Sequence, residues 1–359
     1  MPPLVTIIII NYNTKHLLKG CIESLFNQTC TNKEMILIDN NSGDGSCEFV
    51  QQHFPDVMAV CNKENIGYAP AGNQGITMAK GKYVMLMNPD IFFEKDYLEK
   101  CIAVMEGTSE IAKNVQTEHQ KIAAICGKIK KYDFERHQKT NFIDTVGLFC
   151  YRNRRVIDDG QGLEDKGQFD TPKEVFGISG ACPLYRKEAL EDVKIGGRHN
   201  TPNEYLDNDF FMYKEDVDLS WRFLLFGWKN FYLPSAVAYH GRGTGVLKRF
   251  THLEVLKNRR KLTPFQKYYS YKNQRLMQVK NELWMNFLHD FFHILWKEFL
   301  IFGYILFREP YLLKSWFKLL AQIPKAFKKR RIIMKRRRVD SKYMKRWLSQ
   351  KQSAYYHKS

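Results

Sequence analysis

The chain has 359 residues, 44% apolar and 26% charged, which permits a packed core and excludes disordered and fibrous classes. Its net charge of +18 comes entirely from the last third: residues 1–240 carry 27 Lys and Arg against 32 Asp and Glu, residues 241–359 carry 29 against 6. Such a split suggests a slightly acidic body joined to a basic extension whose partner is anionic, either nucleic acid or anionic lipid.

Leu4 to Ile10 is a short β-branched run without the basic segment that a signal peptide needs, and it reads as a strand buried on both faces of a parallel sheet. Thr14 to Gln28 follows as a helix with Leu17, Leu18, Cys21, Ile22, Leu25 and Phe26 on one face. Met35–Ile38, Val57–Val60 and Tyr83–Met87 read as further strands, so the first 90 residues form βαβ units of a doubly wound sheet. In such sheets ligands bind beyond the carboxyl ends of the strands, where Asn11-Tyr12-Asn13, Asp39-Asn40-Asn41-Ser42 and Asn88-Pro89-Asp90 fall. Residues 107–175 show no clear period. A helix is expected over Glu215–Phe226 and a strand near Ala236–Tyr239, leading into His240.

Eight cysteines lie scattered, with no CxxC pair and no zinc-finger spacing, and are expected to be reduced, mostly buried thiols of a cytoplasmic protein. Leu283 to Phe307 is apolar but interrupted by Asp290, Lys297 and Glu298, which argues against a membrane-spanning helix. Trp316 to Arg338 mixes aromatic and aliphatic residues with Lys325, Lys328, Lys329, Arg330, Arg331 and Lys335 to Arg338, a pattern that suits a membrane interface. The expected division is a catalytic domain over residues 1–265 and a basic, amphipathic, membrane-associating helical extension over 266–359.

Five segments, in order, resemble the family 2 inverting glycosyltransferases: Val5–Asn13, Ile38–Ser42, Asn65–Gly75, Leu86–Asp90 and Phe211–Leu219. The likeness is strongest to the rhamnosyltransferase-like branch and implies a GT-A fold, an α/β doubly wound mixed sheet. It implies transfer from a nucleotide-diphosphate donor, dTDP-L-rhamnose in the first instance, to a saccharide acceptor. The acceptor is expected to be lipid-linked, as in cell-surface polysaccharide assembly, with the enzyme peripheral on the cytoplasmic face of an anionic membrane. A UDP-sugar suits the same pocket logic.

The resemblance assigns roles to residues of matching type. Asp39 reads the imide of a pyrimidine base, with Asn11, Asn13 and Asn41 beside it; the alternative is a local Asx turn over Asp39–Ser42. Gly67 and Asn73 approach the nucleotide; the alternative is a capped helix start with packing glycines. Asn88 stands where the family has the first acid of its Asp-x-Asp motif. Asp90 and His240 are expected to hold a divalent cation, Mg²⁺ or Mn²⁺, and Arg242 to assist the departing diphosphate. Asp216 is the expected general base, with Glu215 orienting it or the acceptor, although acids also sit in first turns as dipole partners. Glu215, Trp221 and Arg222 fall on a plausible acceptor side, although aromatics at helical spacing such as Trp221 and Trp228 read more readily as core residues.

Two other classes compete. A nucleotidyltransferase needs a glycine-rich loop with a basic residue after the first strand, where this chain has Asn11-Tyr12-Asn13-Thr14. A nucleic-acid-binding protein would account for the basic tail but not for the acidic cluster or the strand-end motifs, so no nucleic-acid partner is expected.

Overall fold

The computed structural model describes residues 2–115, 121–196, 203–241 and 259–349. In chain order the first half comprises β1 (Val5–Asn11), α1 (Lys15–Phe26), β2 (Lys33–Asp39), α2 (Ser46–His53), β3 (Val57–Cys61), α3 (Tyr68–Met78), β4 (Tyr83–Met87), β5 (Ile91–Phe93), α4 (Tyr97–Glu106) and α5 (Glu110–Val115). Then come β6 (Ile122–Asp133), β7 (Gln138–Thr145), β8 (Leu148–Tyr151), β9 (Val156–Asp158), β10 (Lys173–Val175), β11 (Leu184–Arg186), α6 (Lys187–Val193), α7 (Glu215–Leu225) and β12 (Lys229–His240). The C-terminal part holds α8 (Pro264–Asn281), α9 (Trp284–Arg308), α10 (Lys314–Arg336), α11 (Ser341–Lys345) and β13 (Leu348–Ser349).

The central sheet runs β10-β12-β6-β11-β4-β1-β2-β3, with β5 on β12 and β7 on β6. Strands β1 to β4 pair in parallel, and β1 is buried along its whole length, as its unbroken apolar run requires. The other half is mixed: β11 is antiparallel to β4 and β6, while β12 is parallel to β6. Helix α1 covers one face with Leu18, Cys21, Ile22 and Leu25. Helix α3 lies so close to β1 that a Cβ on Gly75 would come within 2.5 Å of Ile8.

The stretch that sequence left unplaced supplies five strands, β6 to β10. Strand β8 leaves the main sheet and pairs with β9 and β13, so the last described residues return to the body. One expectation needs correction: Cys47 of α2 and Cys61 of β3 are joined as a disulfide, with Cα atoms 6.1 Å apart. The other six cysteines are free, and five of them are buried.

Helix α8 starts at a capping box, Thr263 with Gln266, and has proline at its first turn. Its Lys280 is fully buried between Asp207 and Asp218. Lys329 of α10 meets Glu204, Asp207 and Asp209 at 2.5–2.7 Å, Lys325 meets Asp209 at 2.9 Å, and Arg338 meets Asp192 at 2.8 Å. The expected free basic cluster over Lys325–Arg338 is therefore partly neutralised inside the molecule. The reason is the acidity of the body, whose buried carboxylates need counter-ions. Among the described residues no helix is long and apolar enough to cross a membrane.

Candidate functional site

A cleft of about 420 Å³ opens beyond the carboxyl end of β4. It gathers Asn88, Asp90, Gly180, Glu215, Asp216 and His240, which lie far apart in sequence. Asn88 is held by its backbone N–H, which donates to Ala181 O at 3.2 Å. Asp90 and His240 meet because β5 pairs with the end of β12, and Gly241 N donates to Asp90 O at 2.9 Å.

His240 Nε2 lies 3.3 Å from Asp90 Oδ2, and Nδ1 lies 2.7 Å from Asp144 Oδ2. Burial works against a charged imidazole here, but the hydrogen bonds and charges of Asp144 and Asp90 prevail and lift its pKa to about 9. The pair suits a small divalent cation. Neighbouring ligands about 2.1 Å from one octahedral ion stand about 3 Å apart, close to the observed separation. Asp90 Oδ1 is buried without a hydrogen-bond partner, and with a cation in place of the Nε2 proton, an Nδ1–H directed at Asp144 would leave Nε2 free to bind that cation beside Asp90. The described residues contain no cluster of three or more His, Cys, Asp or Glu side chains placed to hold a metal ion together. Sequence reasoning missed Asp144: it lies at the end of β7, in the stretch without period.

Glu215 and Asp216 open α7, after a turn in which Phe211, Tyr213 and Lys214 have φ of 64°, 68° and 74°. Such a run is strained for residues with a Cβ and persists only where its surroundings hold it. Asn273 of α8 does so, its Nδ2 donating to the carbonyls of Phe210, Met212 and Tyr213 at 2.8–2.9 Å. No sequence signal marked Asn273, one polar residue in an amphipathic helix.

The two acids differ in their surroundings. Asp216 accepts from Gly180 N and Val217 N, each at 2.8 Å. Glu215 Oε2 is buried with no partner. Burial, reinforced by the charge of Asp216, pushes Glu215 up to about 8. Burial also raises Asp216, opposed by Lys214 and the Gly180 N–H. Two backbone N–H groups and Lys214 favour the charged form of Asp216, whereas Glu215 Oε2 has no such partner, so their environments push the two acids apart.

The residues expected on the base form a second group at the ends of β1 and β2, where Asn11 and Asp39 are register partners. Asp39 accepts from Asn11 Nδ2 at 2.6 Å, Ser42 Oγ at 2.6 Å and Ser42 N at 2.8 Å, so the local Asx turn is present. Three of its roughly four acceptor positions are occupied. Asn13 and Asn41 are left-handed, at φ 53° and 63°, and Asn13 Oδ1 accepts from Gly43 N. Asn41 is exposed.

Three residues sit differently from expectation. Asn73 is buried, and its amide is saturated: Nδ2 donates to Leu206 O and Asn208 Oδ1, while Oδ1 accepts from Tyr205 N and Leu206 N. It braces residues 205–208 instead of facing a nucleotide. Gly67 has φ of 90°, and a Cβ there would come within 2.5 Å of Phe211, so it serves the packing of the strained turn. Arg222 is fully buried, bonded to Asp218, Val193 O and Tyr205 O, whereas Trp221 beside it lies in the core as its helical spacing suggests. Arg242 lies outside the described residues.

Comparison with known proteins bears on this architecture. Residues 6–194 match the family described as glycosyl transferase family 2. A putative glycosyltransferase EpsH of Bacillus subtilis is 27% identical over 171 residues, 41% of this chain and 50% of that protein. The chondroitin synthase of Escherichia coli is 34% identical over 103 residues, 28% of this chain and 15% of that one. The chain thus matches half or less of the length of these relatives. Among solved structures, S. aureus TarS has a TM-score of 0.52 at 16% identity, covering 90% of this chain and 49% of that one. GalNAc-T7 with UDP, GalNAc and Mn²⁺ has a TM-score of 0.51 at 13% identity, covering 78% and 49%. These likenesses show the GT-A fold that the mixed sheet already displays. With more than half of its length matched, the chain belongs to glycosyltransferase family 2.

Proposed function

We propose that the protein transfers one sugar, with inversion, from a nucleotide-diphosphate donor to a hydroxyl of a saccharide acceptor. One observation carries the reading: a cleft in which Asp216, held by two backbone N–H groups, lies beside the buried Glu215, whose pKa burial raises, and which also receives Asp90 and His240. Asp216 takes the proton of the acceptor hydroxyl as its oxygen attacks the anomeric carbon. The bond to the diphosphate breaks as the new bond forms, and the electron pair departs with the nucleoside diphosphate. Glu215, neutral and lacking a partner at Oε2, donates to the acceptor and orients it. Asp90 and His240 would hold Mg²⁺ or Mn²⁺, which supplies charge neutralisation at the diphosphate. That GalNAc-T7 was solved with UDP and Mn²⁺ supports a divalent ion here.

Asp39, with Asn11 behind it, reads a pyrimidine. The donor is dTDP-L-rhamnose, on the resemblance to the rhamnosyltransferase-like branch; a UDP-sugar is the second reading, favoured by the UDP bound to GalNAc-T7. The relatives named for chondroitin and teichuronic acid synthesis support a role in polysaccharide assembly. The acceptor is carried on a lipid, and the enzyme works at an anionic membrane surface on the cytoplasmic side.

A panel of dTDP-, UDP- and GDP-sugars tests the donor by thermal stabilisation and by release of nucleoside diphosphate. Stabilisation by a pyrimidine nucleotide-sugar is expected, with activity lost in EDTA and restored by Mn²⁺ or Mg²⁺. Release of inorganic pyrophosphate would indicate nucleotidyl transfer instead, and full activity in EDTA would remove the metal.

A further inference from the structure

Helix α9 buries only Asn286, Asp290, Ile294 and Ile305 of its 25 residues. Its other side presents Trp284, Phe292, Trp296, Phe299 and Phe307 to solvent, each more than 60% exposed. Beside it, α10 exposes Phe317 and Leu320 at 78% and 57%, together with Lys318, Lys328 and Arg331. Large aromatic side chains exposed in this number are unfavourable in water and mark a contact surface.

Charge identifies what covers it. Residues 284–336 contain three acids, Asp290, Glu298 and Glu309, and all three are engaged internally. Asp290 pairs with Arg152 and Arg154 at 2.6 and 2.7 Å, Glu298 with Lys297 at 3.0 Å and with Arg275, and Glu309 with Arg259 and with Lys267 at 2.9 Å. Every exposed formal charge on α9 and α10 is therefore positive, and it borders aromatic side chains. An apolar stripe flanked by cations and free of exposed acid is complementary to an anionic bilayer, where the rings enter the acyl boundary and the cations meet phosphates.

We infer that the exposed sides of α9 and α10 form one lipid-docking face, held to the bilayer mainly by apolar insertion. The inference rests on the membrane reading given above but relocates the contact. Docking by the Lys325–Arg338 cluster is weakened because Lys325, Lys329, Arg336 and Arg338 are bonded to the body. Helix α8 ties the face to the cleft: Gln266 and Ser270 line the cleft, and Arg275 of the same helix pairs with Glu298 of α9.

Co-sedimentation of the full chain with phosphatidylcholine vesicles, with and without phosphatidylglycerol, at low and high salt tests this. Two triple variants at exposed positions accompany it: F292S/W296S/F299S and K318Q/K328Q/R331Q, each checked for unchanged Tm. The wild type is expected to sediment with anionic vesicles and to remain largely bound at high salt. The apolar triple should lose about tenfold or more in partitioning, the cationic triple distinctly less. If the apolar triple binds as the wild type does while the cationic triple is released, the inference fails and the membrane reading stands. If the wild type stays in the supernatant with every vesicle, both fail. A lipid-free dimer that F292S/W296S/F299S converts to monomer would make the face a protein interface and overturn the inference.

Discussion

Asp144 stands directly behind His240: its Oδ2 is 2.7 Å from Nδ1, while Nε2 of the same ring is turned toward Asp90. A carboxylate in that place fixes the tautomer and the plane of an imidazole whose other nitrogen serves as ligand. Asp144→Ala is accordingly expected to weaken Mn²⁺ binding by about 10–100-fold, read by titration of the protein with the metal alone. Unchanged affinity would show that Asp144 supports the fold rather than the ligand.

Asp216→Asn should reduce kcat by a factor of about 10² or more while donor affinity stays near wild type, because the base acts only on the acceptor proton. Glu215→Gln keeps a hydrogen-bond donor and should cost less. Equal losses in the two variants would refute the division of roles.

The raised pKa of Glu215 has a measurable sign. A carboxyl held at about 8 when folded, against an ordinary 4.5, favours the protonated native state. Its stabilising effect is complete below about 4.5 and is lost as pH rises through 8. Glu215→Gln does not titrate, so its Tm should rise above wild type progressively between pH 5 and about 8, with the smallest difference at pH 4.5. A Tm difference independent of pH would contradict this.

Asn273→Ala removes the donor shared by three carbonyls of the strained turn before α7. Loss of a buried hydrogen-bond partner costs about 1–3 kcal/mol, so a clear fall in denaturant midpoint is expected, together with reduced turnover. Hydrogen exchange should show the loss of protection concentrated around residues 210–216.

Asp39→Ala should weaken UDP or dTDP binding by ~1–3 kcal/mol. Because Asp39 also anchors Asn11 and Ser42, Asp39→Asn is the more informative change: it preserves the turn better while removing the charge. GDP binding as tightly as the pyrimidine nucleotides would dismiss the assignment.

The parallel strands β1 and β4 were legible because their residues alone state their burial. Val5–Asn11 and Tyr83–Met87 are unbroken apolar runs ending in polar clusters, which only a sheet covered on both faces accommodates. Helix α7 was equally readable, and with it the position of Glu215 and Asp216. Strand β6 was not: its partners β7, β11 and β12 lie up to about a hundred residues away, and its small residues become strand-forming only against them. The amide of Asn73 looked the same in sequence whether it met a nucleotide or the 205–208 backbone. Its four bonds to that segment are a tertiary fact.

By itself, then, the sequence determined the parallel half of the sheet, the polar clusters at its strand ends, and the acidic pair that opens α7. It also determined the uneven charge, since local periodicity and composition carry that information directly. Tertiary structure alone decided that Asp144 backs His240, that Asn273 holds the strained turn, and that Lys280 and Lys329 neutralise acids of the body. It likewise decided that the exposed face of α9 and α10 retains only cations. Each of these depends on which buried charge or carbonyl meets which partner across large sequence separations, and a buried polar group accepts whatever partner the packing brings.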